Sequence, residues 1–202
     1  MTERPDTAYL DGLYATSSDP WRLADSFYEQ RKRAVVLSCL TRQRYRSVFE
    51  PACGSGELTI ELAPRCETLL ASDYHQRAVD AAGMRLAGRS SVSLVRMLVP
   101  EEWPNTGPFD LIVLSEFGYY LAPDRWRSLC AAVAGSLTED GSVLACHWRH
   151  PFQERLADTA SLHAELDRAL DAERVVQLID EDFVLDLWSR GGQSTAQREG
   201  RR

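Results

Sequence analysis

The chain has 202 residues, 44% of them apolar, and a formal net charge of −7 at pH 7. That length suits a single core, and the acidic balance argues against nucleic acid as partner, because such binding draws on Lys and Arg that neutralise phosphates. No run approaches the roughly 20 apolar residues that span a bilayer and the N-terminus is unlike a secretory signal, so a cytoplasmic protein with no membrane partner is expected; five scattered cysteines without a CxxC pair predict no zinc site and no disulfide framework.

In chain order, Trp21 to Leu40 reads as an amphipathic helix started by Asp19 and Pro20, part of a helical lid over about residues 7–40. The single lysine, Lys32, is read as compositional bias without function. Ser47 to Ala52 suits a buried strand and Glu57 to Ala63 a helix. A second strand is expected at Glu67–Asp73, a helix at Gln76–Leu86, and a third strand in SVSLVRML. The nearly continuous apolar run FDLIVLSE, Phe109 to Glu116, argues for a parallel strand covered on both faces. Trp126 to Leu137 is a helix ended by the EDG turn, followed by the strand SVLACHW and a helix at Thr159–Leu170. The last two strands, RVVQLI and FVLDLW, are separated by Asp180 to Asp182 alone, a spacing for a hairpin and not for a helical crossover. Alternation of strands and helices predicts an α/β, Rossmann-like, doubly wound and mostly parallel seven-stranded sheet, with one antiparallel strand from the hairpin. One domain is expected over 1–190, and the polar tail 191–202 is expected to be disordered.

In such a sheet the first strand-to-helix turn is the usual ligand cradle. Here it reads FEPACGSGELT, with Gly54 and Gly56 letting the backbone approach a ligand. A dinucleotide cradle wants a third glycine where Thr59 stands, and Glu50, aimed at the turn, would repel a pyrophosphate but suit an ammonium group. The expected ligand is a zwitterionic nucleoside such as S-adenosylmethionine, with Asp73 placed to accept both ribose hydroxyls. Asp73 alone does not separate this from a dinucleotide.

Over nearly its whole length the chain resembles class I S-adenosylmethionine-dependent methyltransferases, whose first motif EPACGSG matches except that Ala52 replaces a glycine. More narrowly it is similar to the NodS-like family through DPWRLADSFYEQRKR (19–33), VPEEWP (99–104), FDLIVLSEFGYYL (109–121) and HWRHP (147–151). The resemblance implies methyl transfer to nitrogen, S-adenosylhomocysteine as product, and an acceptor akin to the glucosamine end of an oligosaccharide. Members commonly carry Gly-Asp before VP, where this chain has Met97 and Leu98. Adenine is therefore expected to rest on backbone amides and apolar contact at Met97, Leu98 and Val99, beside Tyr74 and near Ser115.

For the chemistry, Glu116 and His147 are expected on the rim as proton acceptors or orienting groups, with Tyr120 beside them. Tyr28, Tyr119, Trp148, Arg149 and His150 are candidate acceptor contacts, each with packing or a solvated surface as the alternative. Trp21 and Arg31 are placed over the cofactor, Arg31 on its carboxylate. O-methylation, cofactor binding without turnover, and a dinucleotide oxidoreductase stay open as alternatives.

Overall fold

The computed structural model describes residues 7–202. Seven strands form one sheet in the order β3-β2-β1-β4-β5-β7-β6: β1 (Tyr45–Pro51), β2 (Cys66–Asp73), β3 (Val92–Arg96), β4 (Phe109–Ser115), β5 (Leu137–Trp148), β6 (Glu173–Ile179) and β7 (Phe183–Ser189). β7 runs antiparallel to both its neighbours, and the β1–β5 pairs are parallel. The expected fold class is therefore observed. Because β1 pairs with β2 on one side and β4 on the other, strand order reverses at β1, and the crevice for a ligand opens beyond the carboxyl ends of β1 and β4.

Burial follows strand alternation. Ile112 and Leu114 of β4 join Val143, Ala145, Trp126 and Leu162 in a core on one face. Leu111 and Val113 join Leu144, Cys146, Val36 and Leu62 on the other. A strand buried on both faces needs apolar residues at successive positions, which is why β4 reads as a continuous run. Helices α5 (Pro123–Gly135) and α6 (Thr159–Ala169) cover the first face. On the other lie α2 (Phe27–Cys39) and α3 (Glu57–Leu62). Helix α4 (Gln76–Arg85) follows β2.

Three expectations are corrected. The helix expected from Trp21 begins only at Phe27, where the Ser26 hydroxyl accepts the Glu29 amide. Trp21 stands in a turn closed by Asp19, whose carboxylate accepts the amides of Leu23 and Ala24, and a separate helix, α1 (Thr7–Thr16), precedes it. Residues Glu139–Gly141 do not simply end α5. They lie within a β5 irregularity where Phe109 pairs with Leu137 but Leu111 with Ser142. The tail expected to be disordered holds one helical turn, α7 (Thr195–Arg198), because Ser194 and Gln197 form a reciprocal capping box and the Thr195 hydroxyl donates to the Thr41 carbonyl at 3.0 Å. A turn satisfied by its own caps needs no apolar residue. Among the described residues no helix is long and apolar enough to cross a membrane.

Candidate active site

A cavity of about 540 Å³ opens at the carboxyl ends of β1, β2 and β4, roofed by α1, the Ser17–Ser26 turn and α2. Its floor is the β1–α3 turn. Ala52 (φ 56°), Gly54 (φ 55°) and Gly56 (φ 81°) alternate in the left-handed region. A Cβ on Gly56 would stand 3.0 Å from that of Ala82, so glycine there lets the turn and α4 touch. Ala52 carries the β-carbon that the region disfavours, at a cost of roughly 1–2 kcal/mol. The Gly54 amide donates to Asp73 Oδ2 at 3.0 Å and the His75 amide to Asp73 Oδ1 at 2.9 Å. Burial pushes the Asp73 carboxyl up against the pull of those amides. Glu50 is 3% exposed, lines the cavity, and its Oε2 has no hydrogen-bond partner among the described residues. Burial pushes its carboxyl up to about 8.

Met97, Leu98, Val99, Tyr74 and Ser115 also line the cavity. Two of the three amides expected to hold adenine are already engaged: that of Met97 donates to the Asp73 carbonyl at 2.9 Å and that of Leu98 to Glu102 Oε2 at 2.7 Å. What Met97 and Leu98 offer is apolar side chain. The Tyr74 hydroxyl donates to Asp11 at 3.3 Å and ties the wall to α1.

The roof departs most from expectation. Arg31 does not line the cavity; its guanidinium is paired with Asp180 at 2.6 Å on the surface. The inward cations are its neighbours Lys32 and Arg33, 4% and 8% exposed. Arg33 donates to the Leu23 carbonyl at 2.6 Å and to Glu61 at 2.9 Å. Lys32 bridges Glu29 at 2.9 Å and Glu116 at 2.7 Å. Burial alone would lower its pKa, but the carboxylates of Glu116 and Glu29 outweigh it and hold the ammonium charged. Trp21 meets Tyr14 edge-on, and Tyr14 stacks on His75 with ring centres 4.5 Å apart.

Glu116 follows β4 with φ 60°, in the left-handed region. Its Oε2 accepts the Tyr119 hydroxyl at 2.6 Å and the Trp148 amide at 2.9 Å. With Lys32 on Oε1, three donors converge on this carboxylate. Burial first, and then the Glu116 charge, push the Tyr119 hydroxyl well up. Tyr28, Tyr119, Tyr120 and Trp148 line this end of the cavity, and the Tyr28 hydroxyl is buried without a partner among the described residues.

His147 is corrected. It is fully buried, lies outside the cavity lining, and points to the opposite sheet face from Trp148, as strand alternation requires. Its Nε2 accepts the Gly118 amide at 3.2 Å. Its Nδ1 lies 3.0 Å from His163 Nε2, and His163 Nδ1 lies 2.7 Å from Asp186. An amide can only donate, so Nδ1 of His147 carries the proton and donates to His163, which in turn donates to Asp186. Burial, then His163, hold the His147 pKa well below its ordinary value. The residue steadies the turn that carries Tyr119 and Tyr120. Arg149 and His150 are corrected too: they bind the β6–β7 hairpin, through the Asp180 carbonyl at 2.8 Å and the Asp182 carboxylate at 3.1 Å, and neither lines the cavity.

Sequence reasoning missed Glu29, Lys32 and Arg33. Ser26-x-x-Glu29 was the signal, a capping-box spacing that starts the helix at Phe27. From there Glu29, Lys32, Arg33 and Val36 follow i, i+3, i+4, i+7 and form one face. Among the described residues no cluster of three His, Cys, Asp or Glu side chains is arranged to hold a metal.

The family model of nodulation protein S (NodS) matches residues 12–183. Nodulation protein S of Bradyrhizobium diazoefficiens is 36% identical over 122 residues, 60% of this chain and 57% of that protein, so the match spans a little over half of that relative's length. A Pseudomonas syringae crystal structure described as a methyltransferase is 41% identical with a TM-score of 0.71, covering 82% of this chain and all of that one. The N-methyltransferase NodS of Bradyrhizobium japonicum WM9, crystallised with S-adenosylhomocysteine, superposes with a TM-score of 0.82 at 24% identity over 92% of this chain and 98% of that one, a likeness of fold. With its sheet order, its glycine turn and the family match running through both roof and floor, the chain belongs to the NodS family.

Proposed function

We propose that this chain is an S-adenosylmethionine-dependent methyltransferase that N-methylates an amine of a small molecule such as an amino sugar or oligosaccharide. The observation that carries the reading is one cavity joining a left-handed glycine turn to two buried carboxyl groups, Glu50 with an oxygen that has no hydrogen-bond partner among the described residues and Asp73 at the end of the next strand. Those residues fit the cofactor: Glu50 meets the α-ammonium, Asp73 the ribose hydroxyls, and Met97, Leu98, Val99 and Tyr74 the adenine. Arg33, and not Arg31, serves the carboxylate. Thr59 stands where a dinucleotide cradle wants its third glycine, which disfavours a dinucleotide.

The bound cofactor supplies an electrophilic methyl group on a sulfonium. The chain supplies placement and dryness, and proximity alone is worth several kcal/mol. Tyr28, Tyr119, Tyr120 and Trp148 offer faces to a sugar or a cationic amine, with Glu116 held among them. Trp21 and Tyr14 in the roof keep water out. Five free cysteines, four of them buried, suit the reducing cytoplasm as its compartment.

The test is incubation with trideuteromethyl-labelled S-adenosylmethionine and a panel of amines and alcohols, glucosamine oligomers included, read by product mass spectrometry. Label on nitrogen is expected. Label on hydroxyl groups alone would make this an O-methyltransferase, and calorimetric binding without any transfer would make it a binding protein.

A further inference from the structure

An amine attacks a methyl group only when neutral, and most aliphatic amines arrive protonated at pH 7. Among the described residues, the acceptor end of the cavity holds the carboxylates of Glu29, Glu116 and Glu154. Glu116 receives three donated hydrogen bonds that occupy both its oxygens, which makes it a fixed part of the wall. Glu29 accepts one side-chain hydrogen bond among the described residues, from Lys32 to Oε1. Its side chain is 13% exposed and it lines the cavity. If Glu29 takes a proton, Lys32 keeps Glu116 as its counter-ion and no buried charge is left alone. Glu154 sits on the loop before α6 with no side-chain hydrogen bond among the described residues to position it, and His147 lies on the other sheet face with both nitrogens engaged.

Resting on the methyltransferase reading above, we propose that Glu29 is the base that removes the proton from the acceptor amine, while Glu116 and Lys32 hold it in place. The ammonium proton passes to the Glu29 carboxylate, leaving a neutral amine and a carboxylic acid. The nitrogen lone pair then forms the N–C bond as the C–S bond breaks, with its electrons staying on sulfur. The methylated ammonium departs and Glu29 returns its proton to water. Burial raises the proton affinity of Glu29 above that of an exposed carboxylate, while Lys32 opposes this, Glu116 reinforces it and Arg33 opposes it weakly. Tyr28, Tyr119 and Cys146 are the other titratable groups whose fields it shares.

The test compares Glu29→Gln with Glu116→Gln, both checked for folding by circular dichroism, using the amine the wild type methylates fastest from the panel above. Turnover of Glu29→Gln is expected to fall about a hundredfold at pH 7 and to recover as pH rises to the amine's own pKa, where no base is needed. The Glu116→Gln deficit is expected not to recover. Independently of turnover, the Glu29 side-chain carbon, assigned in carbon-13 spectra by its loss in Glu29→Gln, is expected to titrate above the ordinary glutamate range in ligand-free protein. Wild-type turnover in Glu29→Gln at pH 7, a deficit that high pH does not relieve, or titration at or below the ordinary range would overturn the proposal. A wild type that binds S-adenosylmethionine but methylates no amine would overturn the N-methyltransferase reading itself, and this proposal with it.

Discussion

The floor and the roof of the cavity are built by different rules. The floor is local: strand β1, a left-handed turn and helix α3 follow one another between Tyr45 and Leu62, and its shape depends on which positions lack a β-carbon. The roof is assembled at a distance, with Lys32 on Glu116, Arg33 on Glu61 and Tyr14 on His75. Backbone geometry fixes the first and paired charges the second, so the two should fail differently when changed.

The largest effect should come from the floor. Gly56→Ala places a β-carbon against α4 in a conformation alanine disfavours, and a loss of roughly 2–4 kcal/mol is expected in denaturant unfolding. A loss below about 0.5 kcal/mol would mean that the turn yields and is not the rigid half. In the roof, Arg33→Ala should weaken S-adenosylhomocysteine binding roughly 10- to 100-fold, as losing a charged hydrogen bond does. Arg31→Ala, on the surface pair with Asp180, should leave that affinity unchanged, and calorimetry giving the reverse ranking would restore the sequence-based placement of Arg31. The smallest effect runs the other way. Ala52→Gly should stabilise the protein by about 0.5–1 kcal/mol by relieving the left-handed strain, seen as a higher melting temperature.

What could be read from sequence divides along the same line. The glycine turn, Glu50, Asp73, the doubly buried β4 and the terminal hairpin are set by neighbours in the chain, and periodicity exposes them. The inner face of α2 is not. Glu29, Lys32 and Arg33 are charged, so the rule that sends charge outward assigns them to solvent, and a face anchored on Trp21, which lies outside α2, turns Arg31 inward in place of its neighbours. The only lysine, taken for a compositional accident, is the most completely engaged cation of the site. His147 misled for a related reason. A histidine at the end of a strand suggests chemistry, but alternation turned it toward His163 of α6 and, behind that, Asp186 of β7.

The account rests on Glu50 facing the cationic end of a nucleoside. Burial holds its carboxyl protonated up to about pH 8, against 4.5 for an ordinary glutamate. Between those values the folded protein keeps a proton that the unfolded chain has lost, so stability of the free protein falls as pH rises through that window. An ammonium opposite Glu50 favours the ionised form, so binding releases that proton and affinity rises with pH. The deciding measurement is calorimetric titration of S-adenosylhomocysteine from pH 6 to 8 into wild type, Glu50→Gln and Asp73→Ala. Affinity should climb by up to about tenfold per pH unit in the wild type, stay flat and weaker in Glu50→Gln, and drop roughly a hundredfold in Asp73→Ala. No binding by the wild type, or equal binding by all three at every pH, would contradict it.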